Sequence, residues 1–146
     1  MNVQIKRCGS YAGNLPSYAT TGSAGMDLYA AIEEPLIIPA GGIVMVSTGI
    51  AIALPRGYEC QVRSRSGLAA KSGIFALNAP GTIDSDYRGE IKVILANFGK
   101  QDYIVQSQER IAQIVIAEYA IVEWTPVDEL TETKRGAGGF GSTGTI

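Results

Sequence analysis

Histidine is absent from the 146-residue sequence, and its absence excludes several classes of enzyme. Ser-His-Asp and Cys-His catalysis need an imidazole as the general base, and the zinc protease and zinc deaminase motifs need histidine as a metal ligand. None of these sites can be built within one such chain. If the protein is an enzyme, its general base is therefore expected to be a carboxylate.

Cysteine, net charge and long apolar runs are also scarce. Cys8 and Cys60 lack the spacing of metal ligands. One disulfide is formally open to them, but unpaired thiols are favoured. No segment has the length of a membrane-spanning helix, and residues 1–13 contain no signal-peptide core. Because no targeting segment is found, we expect a cytoplasmic protein. A net charge of -2 gives no overall electrostatic footprint for nucleic acid or an anionic membrane, so we expect neither partner.

Helical periodicity is nearly absent, and short strand-like runs separated by turn signals fill most of the chain. This pattern predicts an all-β fold, a jelly-roll-like barrel or sandwich, formed by one domain. One short helix is predicted at residues 67–71, with Ser66 as its N-cap. The strand-like runs are residues 3–6, 27–30, 36–38, 43–47, 49–54, 58–62, 91–96, 103–105 and 111–118.

Residues 77–89 (LNAPGTIDSDYRG) carry the densest group of side chains suited to chemistry. Strand-like residues lie on both sides and the Pro-Gly pair signals a turn, so the pattern predicts a β-hairpin. A calcium loop is excluded because Arg88 and Leu95 stand where oxygen ligands are needed. Asp86 is interpreted as a turn former, whereas Asp84 is at least as well suited to act as a general base.

A second candidate site lies just before the predicted helix. Arg63, Arg65, Ser66 and Gly67 would place guanidinium groups, a hydroxyl and free backbone N–H groups at the start of that helix, which suits an anion. An ordinary helix cap flanked by surface arginines explains the same residues equally well. The local sequence leaves both interpretations open.

The sequence changes character after Trp124, becoming polar and then rich in glycine. We expect residues 125–146 to form a flexible C-terminal arm behind a domain of residues 1–124. Residues 139–144 match the pattern GxGxxG, but only two residues follow, so no helix can receive a pyrophosphate as in a dinucleotide fold. Backbone N–H groups of such an arm could still wrap a phosphate, and a disordered tail is the alternative.

Together these segments resemble the trimeric dUTPase (dUTP diphosphatase) family. Five motifs occur in the family's order, and they span nearly the whole chain. They are residues 24–30 (AGMDLYA), 65–69 (RSGLA), 81–89 (GTIDSDYRG), 109–114 (ERIAQI) and 135–144 (RGAGGFGSTG).

The resemblance implies a β jelly roll that forms a homotrimer, with active sites shared between chains and the arm of residues 125–146 closing over each site. The implied reaction is Mg²⁺-dependent hydrolysis of dUTP to dUMP and pyrophosphate. Such an enzyme limits uracil incorporation into DNA and supplies dUMP for dTTP synthesis.

The resemblance also implies roles for the nucleoside half of the site. Asp84 would activate the water that attacks the α-phosphorus in line. Tyr87 would pack against the deoxyribose and reject UTP. The uracil edge would be read by Asn78 and by hairpin and strand groups of Thr82, Ile83 and Lys92.

For the phosphates, the resemblance implies Arg65, Ser66, Gly67 and Gln113. Asp27 is expected to support the site structurally or through the waters of a Mg²⁺ that the phosphates hold without a protein ligand. From the arm, Arg135, Ser142 and Thr143 would bind the γ-phosphate. Phe140 would stack over the uracil, with Gly141 beside it.

Two alternatives use the same fold. A dCTP deaminase would need a glutamate base and a different hairpin, whereas this chain has Asp84 and Tyr87. A non-catalytic nucleotide-binding relative would not need Asp84 at all.

Overall fold

Short runs rich in isoleucine, valine and alanine form β-strands between glycine and proline turns throughout the computed structural model, which describes residues 1–139. Within that range lie eleven strands and one helix, so the all-β prediction with one short helix is confirmed. They are β1 Gln4–Arg7, β2 Met26–Tyr29, β3 Leu36–Ile38, β4 Ile43–Ser47, β5 Ile50–Ala53, β6 Tyr58–Arg63, α1 Ser66–Ser72, β7 Ile74–Ala76, β8 Gly81–Ile83, β9 Lys92–Asn97, β10 Tyr103–Val105 and β11 Arg110–Glu118.

The strands pair antiparallel in every sheet of this range. The largest sheet has the order β2-β11-β6-β8 and the next has the order β4-β9-β7. Two smaller pairs, β1-β5 and β10-β3, flank them. These sheets are open, so the fold is a sandwich rather than a closed barrel. The helix in this range is too short and too polar to cross a membrane.

One apolar core holds the sheets together, because alternate side chains of the strands point to the same face. The cysteines are unpaired, as predicted, and Cys60 lies within this core. Burial raises the pKa of the Cys60 thiol to about 12, so it is an inert packing group. The largest fully buried apolar side chains are Leu28, Ile38, Ile50, Ile74, Ile91, Leu95, Ile111, Val46, Val93 and Val105.

The short helix differs from the prediction at its start. Arg65 occupies the N-cap position with extended backbone (φ -91°, ψ 124°), and Ser66 is already the first helical residue. The prediction that Ser66 caps the helix is therefore wrong, and no side chain makes a cap hydrogen bond. Gly73 ends the helix in the left-handed region (φ 67°), which glycine adopts without steric cost.

The predicted hairpin is more complex than one turn. The flanking strands do pair, with Phe75 of β7 opposite Ala96 of β9. The segment between them, however, contains β8, which leaves this sheet and pairs with β6 in the four-stranded sheet. A three-residue strand gives too little alternation to be found by sequence pattern alone. Residues 77–89 therefore link the two main sheets.

Asn97 is the polar side chain that organises the end of β9. It is only 2% exposed. Its Nδ2 donates to the carbonyl oxygens of Ile38 (2.9 Å) and Gln101 (2.8 Å), and its Oδ1 accepts from the N–H of Gly99 (2.8 Å). One amide thereby joins β3, β9 and the following turn.

We predict that Asn97→Ala lowers the free energy of unfolding by about 2–4 kcal/mol, because it leaves buried backbone groups without partners. Urea unfolding at one fixed protein concentration measures this. Gln101→Ala, at an exposed side chain, is the control and should change little. Equal stability of the two variants would contradict the assignment.

Candidate active site

A cleft of about 540 Å³ opens between the segment after β8 and the sheet that contains β9. Five residues predicted from the sequence share its lining: Thr82, Ile83, Asp84, Tyr87 and Lys92. Sequence reasoning missed the other three, which are Met45, Glu90 and Ile94. Met45 faces Ile94 across the β4-β9 pairing. Only the strand register reveals that Met45 and Ile94 meet at this cleft.

Asp84 follows β8 directly and is exposed. Its backbone carbonyl accepts the N–H of Tyr87 at 3.2 Å, which closes a turn. Because a backbone hydrogen bond closes this turn, the Asp84 carboxylate is not needed to stabilise it. An exposed carboxylate on a fixed turn at the edge of a cleft can orient a water molecule and accept its proton.

Tyr87 forms one wall of the cleft. Its phenolic O–H donates to the carbonyl oxygen of Glu90 at 3.0 Å, while 44% of the residue stays exposed. The ring lies so close to Gly89 that a Cβ there would collide with the phenol oxygen. Glycine at position 89 therefore lets the ring fold back over its own turn.

Asn78 is exposed and does not line the cleft. Its Nδ2 lies against Gly81, the first residue of β8, where an added Cβ would come within 2.9 Å of it. The amide is thus next to the strand that leads to Asp84. Its contact with a base, expected from the sequence, stays a prediction.

A second cluster forms where the N-cap of α1 meets β2 and β11. Arg65 Nε donates to Asp27 Oδ1 at 2.8 Å, and Arg65 Nη1 donates to the carbonyl oxygen of Arg110 at 3.0 Å. Arg110 Nη1 lies 3.4 Å from Asp27 Oδ2. Both carboxylate oxygens of Asp27 therefore face guanidinium groups, and Asp27 fixes the direction of Arg65.

Gln113 ties the loop before α1 to the start of β2. It stands opposite Asp27 on one side of β11 and opposite Arg63 on the other. Its Nε2 donates to the carbonyl oxygen of Ser64 at 2.9 Å, and its Oε1 lies so close to Gly25 that a Cβ there would displace the amide. Ser66 and Gly67 are exposed at the beginning of the helix, next to this loop.

Tyr103 and Glu109 support this cluster from β10, a connection that sequence reasoning did not find. The Tyr103 O–H hydrogen-bonds the Glu109 carboxylate, whose Oε2 also accepts the N–H of Gln106 at 2.9 Å. Burial and the Glu109 carboxylate raise the pKa of Tyr103 to about 12, and the charge of Arg65 opposes them. The only sequence signal was the position of Glu109 directly before Arg110.

The two groups of predicted residues do not share this cleft. The lining of the cleft contains none of Arg65, Ser66, Gly67 and Gln113. On the C-terminal segment, Arg135 Nε donates to the carbonyl oxygen of Gly138 at 2.8 Å, within a local turn. The predicted residues Phe140, Gly141, Ser142 and Thr143 lie outside the described residues.

Comparison with known proteins gives a family match over most of the chain. The family model described as dUTPase matches residues 12–144. A protein of Anaplasma marginale named deoxyuridine 5'-triphosphate nucleotidohydrolase is 59% identical over 146 residues, which is 99% of both chains. A protein of the same name from Rickettsia felis is 58% identical over 97% of this chain and 96% of its own.

Solved structures share the fold. The dUTPase of Staphylococcus bacteriophage 80alpha with dUPNHPP superposes with a TM-score of 0.89, at 24% identity and 98% coverage of both chains. A point mutant of the dUTPase from phage phi11 of S. aureus, described as coordinating a structural Mg(II) ion, has a TM-score of 0.80 at 20% identity, covering 90% of this chain and all of its own. The jelly-roll-like sandwich predicted from the sequence is confirmed.

We predict that protein stability falls between about pH 10 and pH 12 partly because of Tyr103. Above pH 10 the unfolded chain releases the phenolic proton while the folded chain keeps it, so rising pH favours unfolding. Tyr103→Phe should make this fall less steep. The measurement is the free energy of urea unfolding at about pH 9 and about pH 11.

Tyr18→Phe is the matched control, since Tyr18 is 55% exposed. If both variants lose stability with pH as steeply as the unchanged protein does, the pKa of Tyr103 is not raised by folding, and the prediction is wrong.

Proposed function

Since the chain belongs to the dUTPase family, we propose that it hydrolyses dUTP to dUMP and pyrophosphate. The observation that carries the proposal is the cleft in which the Asp84 carboxylate and the Tyr87 ring share one lining. A carboxylate base suits a chain that has no histidine. The match over residues 12–144 and the curated relatives of the same activity support it.

In the proposed mechanism Asp84 orients a water molecule and accepts its proton as the water attacks the α-phosphorus in line. The pyrophosphate leaves on the opposite side. An exposed carboxylate is a weak base, so most of the rate acceleration comes from alignment and from stabilising phosphate charge. The closed turn from Asp84 to Tyr87 supports such alignment because it fixes the base relative to the cleft wall.

In this proposal the same cleft recognises the uracil base and the deoxyribose. Tyr87 packs on the deoxyribose and leaves no room for a 2′-hydroxyl. Asn78, Thr82, Ile83 and Lys92 read the uracil edge, for which an amide offers both a donor and an acceptor. The position of Lys92 at the start of β9, across the cleft lining from Thr82 and Ile83, supports this arrangement.

Arg65, Ser66, Gly67 and Gln113 bind the phosphate chain in this proposal. The support is that Asp27 binds Arg65 Nε and the Arg110 carbonyl oxygen binds Nη1, which fixes the guanidinium and leaves Nη2 for an anion. Arg135, Ser142 and Thr143 of the arm of residues 125–146 add γ-phosphate contacts, and Phe140 with Gly141 covers the uracil.

We further propose Mg²⁺ as the cofactor. Residues 1–139 contain no group of three or more acidic, cysteine or histidine side chains that could cage a metal, which fits an ion carried mainly by substrate phosphate oxygens and water. When bound, the ion would neutralise charge on the leaving pyrophosphate. Asp27, whose oxygens already face Arg65 and Arg110, would act on it at most through water.

The active unit in this proposal is a homotrimer whose sites are shared between chains. The support is that Arg65 follows β6 and Asp84 follows β8, so their antiparallel pairing keeps them at opposite ends, and a complete site needs Arg65 from a neighbouring chain. The cellular role is to limit uracil incorporation into DNA and to supply dUMP for dTTP synthesis. The cytoplasmic location stays a prediction.

The test is pyrophosphate release from dUTP with Mg²⁺, with dCTP as the competing substrate. We expect pyrophosphate from dUTP only and no ammonia from dCTP. Asp84→Asn should lower kcat about 10²–10⁴-fold with little change in KM, because a general base is lost and the turn is kept. Asp86→Asn, an exposed carboxylate two positions away, should keep kcat. Ammonia from dCTP, or unchanged turnover by Asp84→Asn, would contradict the proposal.

Complementation tests the shared site. Arg65→Ala and Asp84→Asn are each expected to be nearly inactive, whereas mixed trimers of the two should regain about one working site in three. Co-expression with two different affinity tags isolates the mixed species for kinetics. A mixed trimer as inactive as its parents would show that both residues act within one chain.

A further inference from the structure

Glu90 links the nucleotide cleft to a neighbouring part of the fold. It lines the cleft beside Asp84 and Tyr87, and it also lines a second cavity of about 490 Å³ near the end of β1. Its carboxylate Oε1 accepts the N–H of Gly49 at 2.8 Å. Its backbone carbonyl accepts the phenolic O–H of Tyr87 at 3.0 Å. The half-buried Glu90 therefore binds Gly49 through its side chain and Tyr87, which forms a wall of the cleft, through its backbone.

The Gly49 end of this connection is rigid. Gly49 has φ 68°, and the ring of Tyr11 packs so closely on it that no side chain would fit. Its carbonyl oxygen accepts the N–H of Cys8 at 2.8 Å. Tyr11 is held in turn by a hydrogen bond from its O–H to the carbonyl oxygen of Asn14 at 2.8 Å. The Glu90 carboxylate thus binds a backbone N–H that is itself fixed.

The chain just after Glu90 is anchored to the same segment. The N–H of Ile91 donates to the carbonyl oxygen of Ile50 at 2.8 Å, and the buried hydroxyl of Thr48 donates to the carbonyl oxygen of Ile91 at 2.6 Å. On its other side the chain reaches Gly89 and the exposed turn that carries Tyr87. The Ile91 bond orients the planar peptide group that carries the Glu90 carbonyl oxygen, and the side-chain bond to Gly49 anchors the same residue where it joins that turn.

We propose that Glu90 is a positioning residue for sugar discrimination. By binding Gly49 N–H through its side chain, it holds its own carbonyl oxygen where the Tyr87 phenol needs it, and so fixes the ring against the deoxyribose. This role depends on the length of the Glu90 side chain and does not depend on its charge. The inference rests on the proposed function, since it needs dUTP hydrolysis as its readout.

Two conservative variants separate reach from charge. Glu90→Gln keeps an oxygen at the same reach and removes the charge. Glu90→Asp keeps the charge but shortens the side chain by one methylene, so it cannot span to Gly49 without moving the backbone. The measured quantity is the ratio of kcat/KM for dUTP to kcat/KM for UTP, with kcat and KM resolved separately for dUTP.

We expect Glu90→Asp to lower this ratio by about twofold to twelvefold, the range that corresponds to one lost hydrogen bond, with KM changing more than kcat. Glu90→Gln should retain most of the preference for dUTP. Glu33→Asp is the control, because Glu33 is exposed, lines the same second cavity and undergoes the same chemical change. It should leave the ratio unaltered.

A double-mutant cycle with Tyr87→Phe tests whether Glu90 acts on sugar discrimination through Tyr87. This change removes the O–H that binds the Glu90 carbonyl, so Glu90→Asp should cost little further discrimination in that background. The proposal is overturned if Glu90→Asp keeps the wild-type ratio, if Gln lowers it as much as Asp does, or if the two losses simply add. If the unchanged protein does not hydrolyse dUTP, the proposed function has failed instead, and this is seen before any variant is compared.

Discussion

The simultaneous pairing of β11 with β2 and β6 is the constraint on which the cluster of Asp27, Arg65 and Arg110, the proposed phosphate half of the site, depends. Gln113 stands opposite Asp27 on one side and Arg63 on the other. This register brings Asp27, Arg65 and Arg110 into contact although they are far apart in sequence. Side chains alternate between the two faces of a strand, so a slip by one residue would turn Asp27 and Gln113 to the opposite face. The irregular register between Arg110 and Ala112 lets both ends of β11 keep their partners.

The proposed nucleoside half depends on a different feature, which is that residues 77–89 connect the two main sheets. β8 pairs with β6, whereas β9 pairs with β4 and β7. The turn from Asp84 to Tyr87 therefore connects strands that belong to two different sheets, and each sheet holds one end of the turn in place. The Asp84 carboxylate stays exposed while both neighbouring strands are fixed by backbone hydrogen bonds. This arrangement combines an accessible carboxylate with a well-defined position, as the proposed general base requires.

Much of this could be predicted from the sequence because local signals were strong. Alternating apolar runs and turn residues predicted most strands to within a residue or two, and the motif of residues 81–89 predicted that Asp84 and Tyr87 lie together. The carboxylate base that the missing histidine suggests stays a prediction. Predictions failed where local and tertiary preferences compete. Ser66 is a better cap than arginine in isolation, yet Arg65 takes the cap position, where its side chain binds Asp27 on β2. β8 is too short for its pattern to be seen, and only its pairing with β6 makes it a strand.

Residues that no motif singled out are those whose role depends on long-range register. Glu90 and Met45 line the cleft only because β9 lies beside β4 and beside the segment around Gly49. The same reasoning applies to the separation of Arg65 from Asp84. Antiparallel pairing places Arg65, which follows β6, and Asp84, which follows β8, at opposite ends of the same strand pair, so uniting them within one chain would break that pairing. In the proposed homotrimer, a second copy of the chain would supply the missing half of the site without breaking this pairing.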